Sequence, residues 1–314
     1  MKPSELFGGF FIEGTMNPLN FIRDPFGFGK RKLSNHPKNF DERPNLQDLT
    51  VLVTGGSKGI GAALVDKLIS RGMTVICVSR SVPQESPKLI HMPLDLSEPK
   101  DLEKFVKECP ILDAVVFNAG GMPQNEPAIC KAMNIDQLYL LHVLGPAWIT
   151  QQLIKLQKLQ NESRVIVVTS GGALPTPLNT EYMGVLTEPY DKIKQYAFHK
   201  RYQIHLVEYL EKTYINKSFN FYSMHPGWVD TPGLKQGMPS FYKFTRDMLR
   251  EPKDGADTID WLICSEKQES GRMYFDRRII DTYPIFWVPR NQKSIMLFMH
   301  KLEQQLEEFN QILG

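Results

Sequence analysis

Apolar residues fall along this chain in two rhythms. Short continuous runs recur at 50–54, 74–79, 89–92, 113–117, 164–168, 219–224 and 272–275. Each has the length and β-branched content of a strand covered on both faces. Between them, stretches at about 60–71, 98–108, 131–158, 191–213 and 254–264 have helical spacing, with Ser97 read as the N-cap of the second. This alternation from about 48 to 275 predicts an α/β fold, a doubly wound parallel sheet with helices on both faces and right-handed crossovers.

The flanks differ. Residues 1–45 carry seven of the 18 phenylalanines, interrupted by glycine and proline, and read as an irregular arm. It either wraps its own domain or meets a partner subunit or membrane interface. From 291 to 314 the apolar positions Ile295, Met299, Leu302, Leu306, Phe309 and Leu313 step by four and three, an amphipathic helix. At barely three heptads, it is expected to dock on its own body, which spans 46–290, rather than to pair as a coiled coil.

Composition narrows the class. With 42% hydrophobic and 23% charged residues the chain can bury a sizeable core, and a formal net charge of +2 argues against nucleic acid as partner. The four cysteines, Cys77, Cys109, Cys130 and Cys264, have neither metal-knuckle nor redox spacing, so no metal is expected. With no apolar run of transmembrane length and no convincing signal peptide, the expectation is a cytoplasmic protein.

Candidate chemistry begins where the first strand ends. Thr54-Gly55-Gly56-Ser57-Lys58-Gly59-Ile60-Gly61 joins it to a helix. Glycines there permit a tight turn, close backbone approach to a pyrophosphate and close packing of the helix, whose N-terminus faces the phosphates. The pattern makes the domain Rossmann-type. It resembles the short-chain dehydrogenase/reductase family, whose members carry Thr-Gly-x-x-x-Gly-Ile-Gly at this place.

The second strand ends at Arg80, where a carboxylate would select NAD and an arginine the 2′-phosphate of NADP. Lys58 adds a second cation, so NADP(H) is the expected cofactor. Arg80 as a solvated strand-end charge is the plainer alternative. Asp95-Leu96 matches the family's acidic position at the adenine, or else begins a helix cap. Asn118-Ala119-Gly120 resembles the triplet after the family's fourth strand.

Tyr196 and Lys200 lie one helical turn apart on a shared face. An ammonium there lowers the phenol's pKa and readies Tyr196 to exchange a proton with a carbonyl or alcohol. The resemblance also gives Lys200 the nicotinamide ribose. Ser170, chosen over Thr169 by the family pattern, is the hydroxyl for the substrate oxygen. The long stretch Gly171 to Gln195 is expected to form a pocket wall. His225-Pro226-Gly227-Trp228-Val229-Asp230-Thr231 resembles the family's loop beside the nicotinamide, with Pro226, Gly227, Val229 and Thr231 as cofactor contacts. Pro232 to Arg250, rich in Met and aromatics, is either a lid for a lipophilic substrate or core.

One position departs from the family. His142 stands where an asparagine usually anchors a relay water. It either serves the relay, adding a titration near pH ~6.5, or is a neutral packing residue. The resemblance implies an NADP(H)-dependent oxidoreductase of carbonyl or alcohol substrates, often a homo-oligomer. The rival is a regulatory or scaffold protein that binds cofactor on the same fold with little turnover.

Overall fold

The computed structural model of the chain describes residues 27–29, 40–83, 85–122, 125–266 and 268–313. Expectations for the remainder of the arm lie outside these residues. Among the described residues eight strands share one sheet: β1 Thr50–Thr54, β2 Thr74–Val78, β3 Leu89–Met92, β4 Leu112–Phe117, β7 Leu159–Val168, β8 Asn220–Met224, β9 Arg272–Phe275 and β10 Arg278–Ile279. A separate pair, β5 Ile129–Cys130 and β6 Ile135–Asp136, lies outside it. The sheet order is β10-β9-β8-β7-β4-β1-β2-β3. All its pairings are parallel except β9 with β10.

The strands read as continuous apolar runs because both faces are covered. Alternate residues serve opposite cores. Leu52, Ile76, Val115, Val165, Val167 and Phe221 join one cluster, while Val51, Val53, Val75, Val116, Ile166 and Tyr222 join the other. Helices α2 (Pro99–Glu108), α3 (Gly145–Lys155) and α4 (Lys192–Thr213) cover the first face, and α1 (Gly59–Ser70) and α7 (Pro252–Cys264) the second. The short helices α5 (Pro232–Gly237) and α6 (Pro239–Thr245) follow β8.

Two local expectations need correction. No single helix spans 131–158. Strands β5 and β6 pair as a small antiparallel sheet, with Asn134 in the left-handed region at φ 53°. The helix starts only at Gln137, where the Asp136 carboxylate caps Leu138 N–H. Ser97 does not cap α2; its hydroxyl donates to Asp95 Oδ1 at 2.6 Å.

The C-terminal helix α8 (Gln292–Leu313) docks on the body. It buries Ile295, Phe298, Leu302, Leu306 and Phe309; Phe298 replaces Met299 in the seam because it stacks on Tyr202 of α4. Trp148 packs edge-on against Phe309 and donates to Asn310. Leu302 is fully buried, so Leu302→Ala is expected to cost about 2–5 kcal/mol in urea unfolding. The exposed Met296→Ala should stay within about 0.5 kcal/mol. A melting temperature that rises with protein concentration would instead favour the coiled-coil alternative.

Candidate functional site

The glycine turn is held from behind by one threonine. Thr54 is fully buried, and its hydroxyl donates to Val116 O while accepting from Asn118 N (3.0 Å) and Ala119 N (2.9 Å). Asn118 Nδ2 returns bonds to Thr54 O and Gly55 O. The ends of β1 and β4 are thus one rigid unit. Gly55 (φ 68°) and Gly59 (φ 57°) occupy backbone conformations that side chains disfavour. Among the described residues no side chain caps the α1 N-terminus at Lys58, so its first-turn N–H groups remain for an anion. The turn fits a pyrophosphate.

The other predicted contacts gather around it. Thr54, Leu96 and Ala119 line one hollow with Leu141 and Pro146. Ser57 accepts from Ser81 Oγ at 2.9 Å. Ile60 and Val229 meet over Gly255 of α7. Thr231 caps α5 through Leu234 N, and its methyl lies against Gly59. Pro226 and Gly227 turn the chain out of β8 towards this corner. Asp95 acts as a local brace: it accepts from Ser97 and lies 3.5 Å from Arg80. The Arg80 side chain is 80% exposed beside the turn, and Lys58 is exposed as well.

Ser170, Tyr196 and Lys200 converge. Thr169 is spent on structure, donating to Lys200 O at 2.6 Å, which leaves Ser170 as the hydroxyl that bonds Tyr196. Burial pushes the Tyr196 phenol up to about 12, moderated by the Ser170 bond. The lowering expected from Lys200 is not found at Tyr196, and burial brings the lysine itself down to about 7. Its Nζ donates to Val168 O and Gln203 Oε1, both at 3.0 Å, and stands 5.5 Å from the Tyr196 ring centre.

His142 reaches the same spot. A Cβ built on Gly120 would lie 2.9 Å from His142 Nε2 and 3.7 Å from Lys200 Nζ, so only glycine fits there. The imidazole stands edge-on to Tyr196 at 6.1 Å. Burial, Lys200 and His199 hold its pKa well below the ordinary value. The titration expected near neutrality therefore belongs to Lys200, not to His142.

A proline explains the local backbone. Pro146 has no N–H for the carbonyl four residues back, which is His142 O. The helix widens there, with Gly145 N–H bonding Leu140 O, and Gln203 Nε2 donates to the freed His142 O at 2.9 Å. The structure adds Asp136, Gln195, His199 and Gln203, buried and polar, to the predicted residues. The signals were Asp136 as a cap and the four-residue spacing of Gln195, His199 and Gln203 along α4. The lid segment is not core: Met238, Phe241, Tyr242, Phe244 and Met248 are half-buried or exposed, and Gly237 touches Met122 across the cleft.

A short chain dehydrogenase family profile matches residues 49–239. The human dehydrogenase/reductase SDR family member 12 is 36% identical over 251 residues, covering 74% of this chain and 78% of its own. The chain belongs to the short-chain dehydrogenase/reductase family. Its chemistry is therefore oxidoreduction between alcohol and carbonyl with a nicotinamide cofactor. Solved family structures share the fold at low identity. A 3-ketoacyl-(acyl-carrier-protein) reductase from Brucella melitensis complexed with NADH has a TM-score of 0.56 at 20% identity, covering 73% of this chain and 96% of its own. BdcA in complex with NADPH has a TM-score of 0.52 at 18% identity, covering 72% and 91%.

The lysine's pKa has a sign that can be measured. An unfolded lysine stays charged to about pH 10.4, whereas buried Lys200 loses its proton near 7. Between these values the unfolded chain holds the extra proton, so stability rises with pH; below about 7 the full cost persists. Lys200→Met should flatten this rise in urea unfolding from pH 7 to 10. Parallel curves for variant and wild type would contradict the assignment.

Proposed function

We propose that this family member is an NADP(H)-dependent oxidoreductase in which Tyr196 exchanges the proton with a carbonyl or alcohol oxygen held by Ser170. The observation that carries it is the convergence of Ser170, Tyr196 and Lys200 beside a glycine turn with an uncapped helix N-terminus. A bound nicotinamide supplies or accepts the hydride. The phenol is protonated at working pH and so serves as the acid. Ser170 orients it and offers a hydroxyl to the developing oxyanion. Lys200 stands beside the Tyr196 ring and shares its proton path. His142 anchors the proton path as a neutral acceptor. The half-buried and exposed aromatics of α6, with Phe241 edge-on to Trp228 at 5.1 Å, support a lipophilic substrate.

NADP(H) is favoured by Arg80 and Lys58 and by the lack of an acid at the end of β2. The exposed Arg80–Asp95 pair at 3.5 Å is worth little and yields readily to a phosphate. A charge-assisted contact of about 1.5–3 kcal/mol gives NADPH an advantage over NADH of about tenfold or more. Fluorescence titration of both cofactors checks it; Arg80→Ala should erase most of the difference, and equal affinities in wild type would refute it.

Tyr196→Phe keeps the ring and removes the acid. Turnover of aldehydes, ketones or quinones, followed as NADPH oxidation, should fall by ~10²-fold or more with NADPH affinity unchanged. Tight NADPH binding with no turnover by wild type across that panel would favour the scaffold alternative.

A further inference from the structure

Behind His142 runs a row of buried polar groups with no part in the scheme above. His142 Nδ1 lies 3.3 Å from His199 Nδ1, and His199 Nε2 lies 3.2 Å from Asp136 Oδ2. Both imidazoles are fully buried and Asp136 is 3% exposed. The other end of the row is His142 Nε2, which faces Gly121 N–H at 3.4 Å.

The bonds assign the protons. A carboxylate only accepts, and burial of Asp136 is outweighed by its bonds to His199, Leu138 N and Gln195, which hold it below the usual carboxylate range. His199 therefore donates from Nε2 and accepts at Nδ1. His142 must then donate from Nδ1, which leaves Nε2 with a lone pair. A backbone N–H only donates, and Gly121 requires the same lone pair from the opposite end. Gln195 Nε2 also stands 3.2 Å from His199 Nε2, but its two protons go to Asp136 Oδ2 and Val185 O. Its orientation is set by Thr187 N–H donating to Gln195 Oε1.

We propose that Asp136 and His199 are positioning residues that hold His142 in the Nδ1–H tautomer, with the Nε2 lone pair open to the Gly120–Gly121 turn beside Lys200. The inference rests on the reading that Tyr196, Lys200 and His142 share one proton path. Gln203 closes the other exit: its amide bonds both Lys200 Nζ and His142 O, and an amide does not pass protons at neutral pH. Among the described residues, the charged or titratable groups facing the two imidazoles are Lys200, Tyr196 and Tyr202 of α4, Tyr139 of the preceding turn, and Asp136. Of these, only Asp136 supplies an acceptor that sets direction.

Asp136→Asn tests the direction. Leu138 N–H claims the Oδ1 place, so the new NH₂ takes the Oδ2 place; it and the Gln195 proton released from Oδ2 both face His199 Nε2, which must then accept. Every proton in the row then reverses, and His142 presents Nε2–H where a lone pair is needed. The measurement is long-range ¹⁵N correlation NMR of histidine-labelled, cofactor-free full-length protein, with peaks assigned by His142→Asn and His199→Gln. Wild type should show His142 protonated at Nδ1 and His199 at Nε2, and Asp136→Asn should show both reversed. Turnover of Asp136→Asn on a panel carbonyl should fall ~10²-fold or more with KM for NADPH within about twofold. Should Asp136→Asn not fold, His199→Gln cuts the link, and His142 should then show mixed tautomers. Wild-type His142 protonated at Nε2, an unreversed Asp136→Asn, or full turnover with reversed tautomers overturns the proposal. The spectra need no substrate, so a wild type without turnover would strike the functional reading while the tautomers of His142 and His199 stayed as measured.

Discussion

Helix α4 is buried on every side from Phe198 to Val207, yet it carries His199, Lys200, Arg201, Gln203 and His205. A buried polar atom without a partner costs about 1–3 kcal/mol, so each of these side chains dictates what lies across from it. Lys200 takes Val168 O at the end of β7, and Gln203 takes His142 O. His205 takes Tyr283 and Glu208, and Arg201 lies on the Tyr283 ring at 3.8 Å. The helix is a polar spine inside an apolar protein. The site sits at the one end of it where the partners are chemically reactive.

This spine meets a second constraint in Pro146. A ring that cannot donate a hydrogen bond frees a carbonyl, and the freed carbonyl recruits the amide that holds the lysine. A backbone fault four residues from His142 thereby sets the geometry of a charged group on another helix. The same widened turn brings His142 against Gly120, where a Cβ would press on Nε2. Position in the fold, rather than residue type alone, brings this histidine beside Tyr196 and Lys200.

Most of the sheet was legible because parallel strands covered on both faces are runs of apolar residues with glycine and proline between them. The glycine turn and the Tyr196–Lys200 spacing were legible because both are local. What escaped was either a break in a regular pattern or a bond between distant residues. Residues 131–136 look helical in composition, and only Asn134 at positive φ and the Asp136 cap show that the helix starts later. The partnership of Asp136 with His199 spans 63 positions and leaves no periodic trace. Burial is the largest cause of the shifted ionisation at Tyr196, Lys200 and His142 alike, and at His142 the charges of Lys200 and His199 push the same way.

Phe28 shows how far the working unit reaches ahead of the sheet. Its ring packs on Gly171, next to the serine, and against His225, Trp228 and Phe275. Its carbonyl accepts from Trp228 N and from Arg250, which is itself paired with Asp276. Further along, Glu42 bridges Ser265, and Asp41 O accepts from Glu266 N. A boundary drawn at residue 45 on composition would sever these ties. An expression fragment trimmed to the sheet and its helices would bare the loop from His225 to Trp228 and the floor beside Ser170. For anyone cutting or grafting this protein, the stretch around Phe28 is part of the casing of the candidate site.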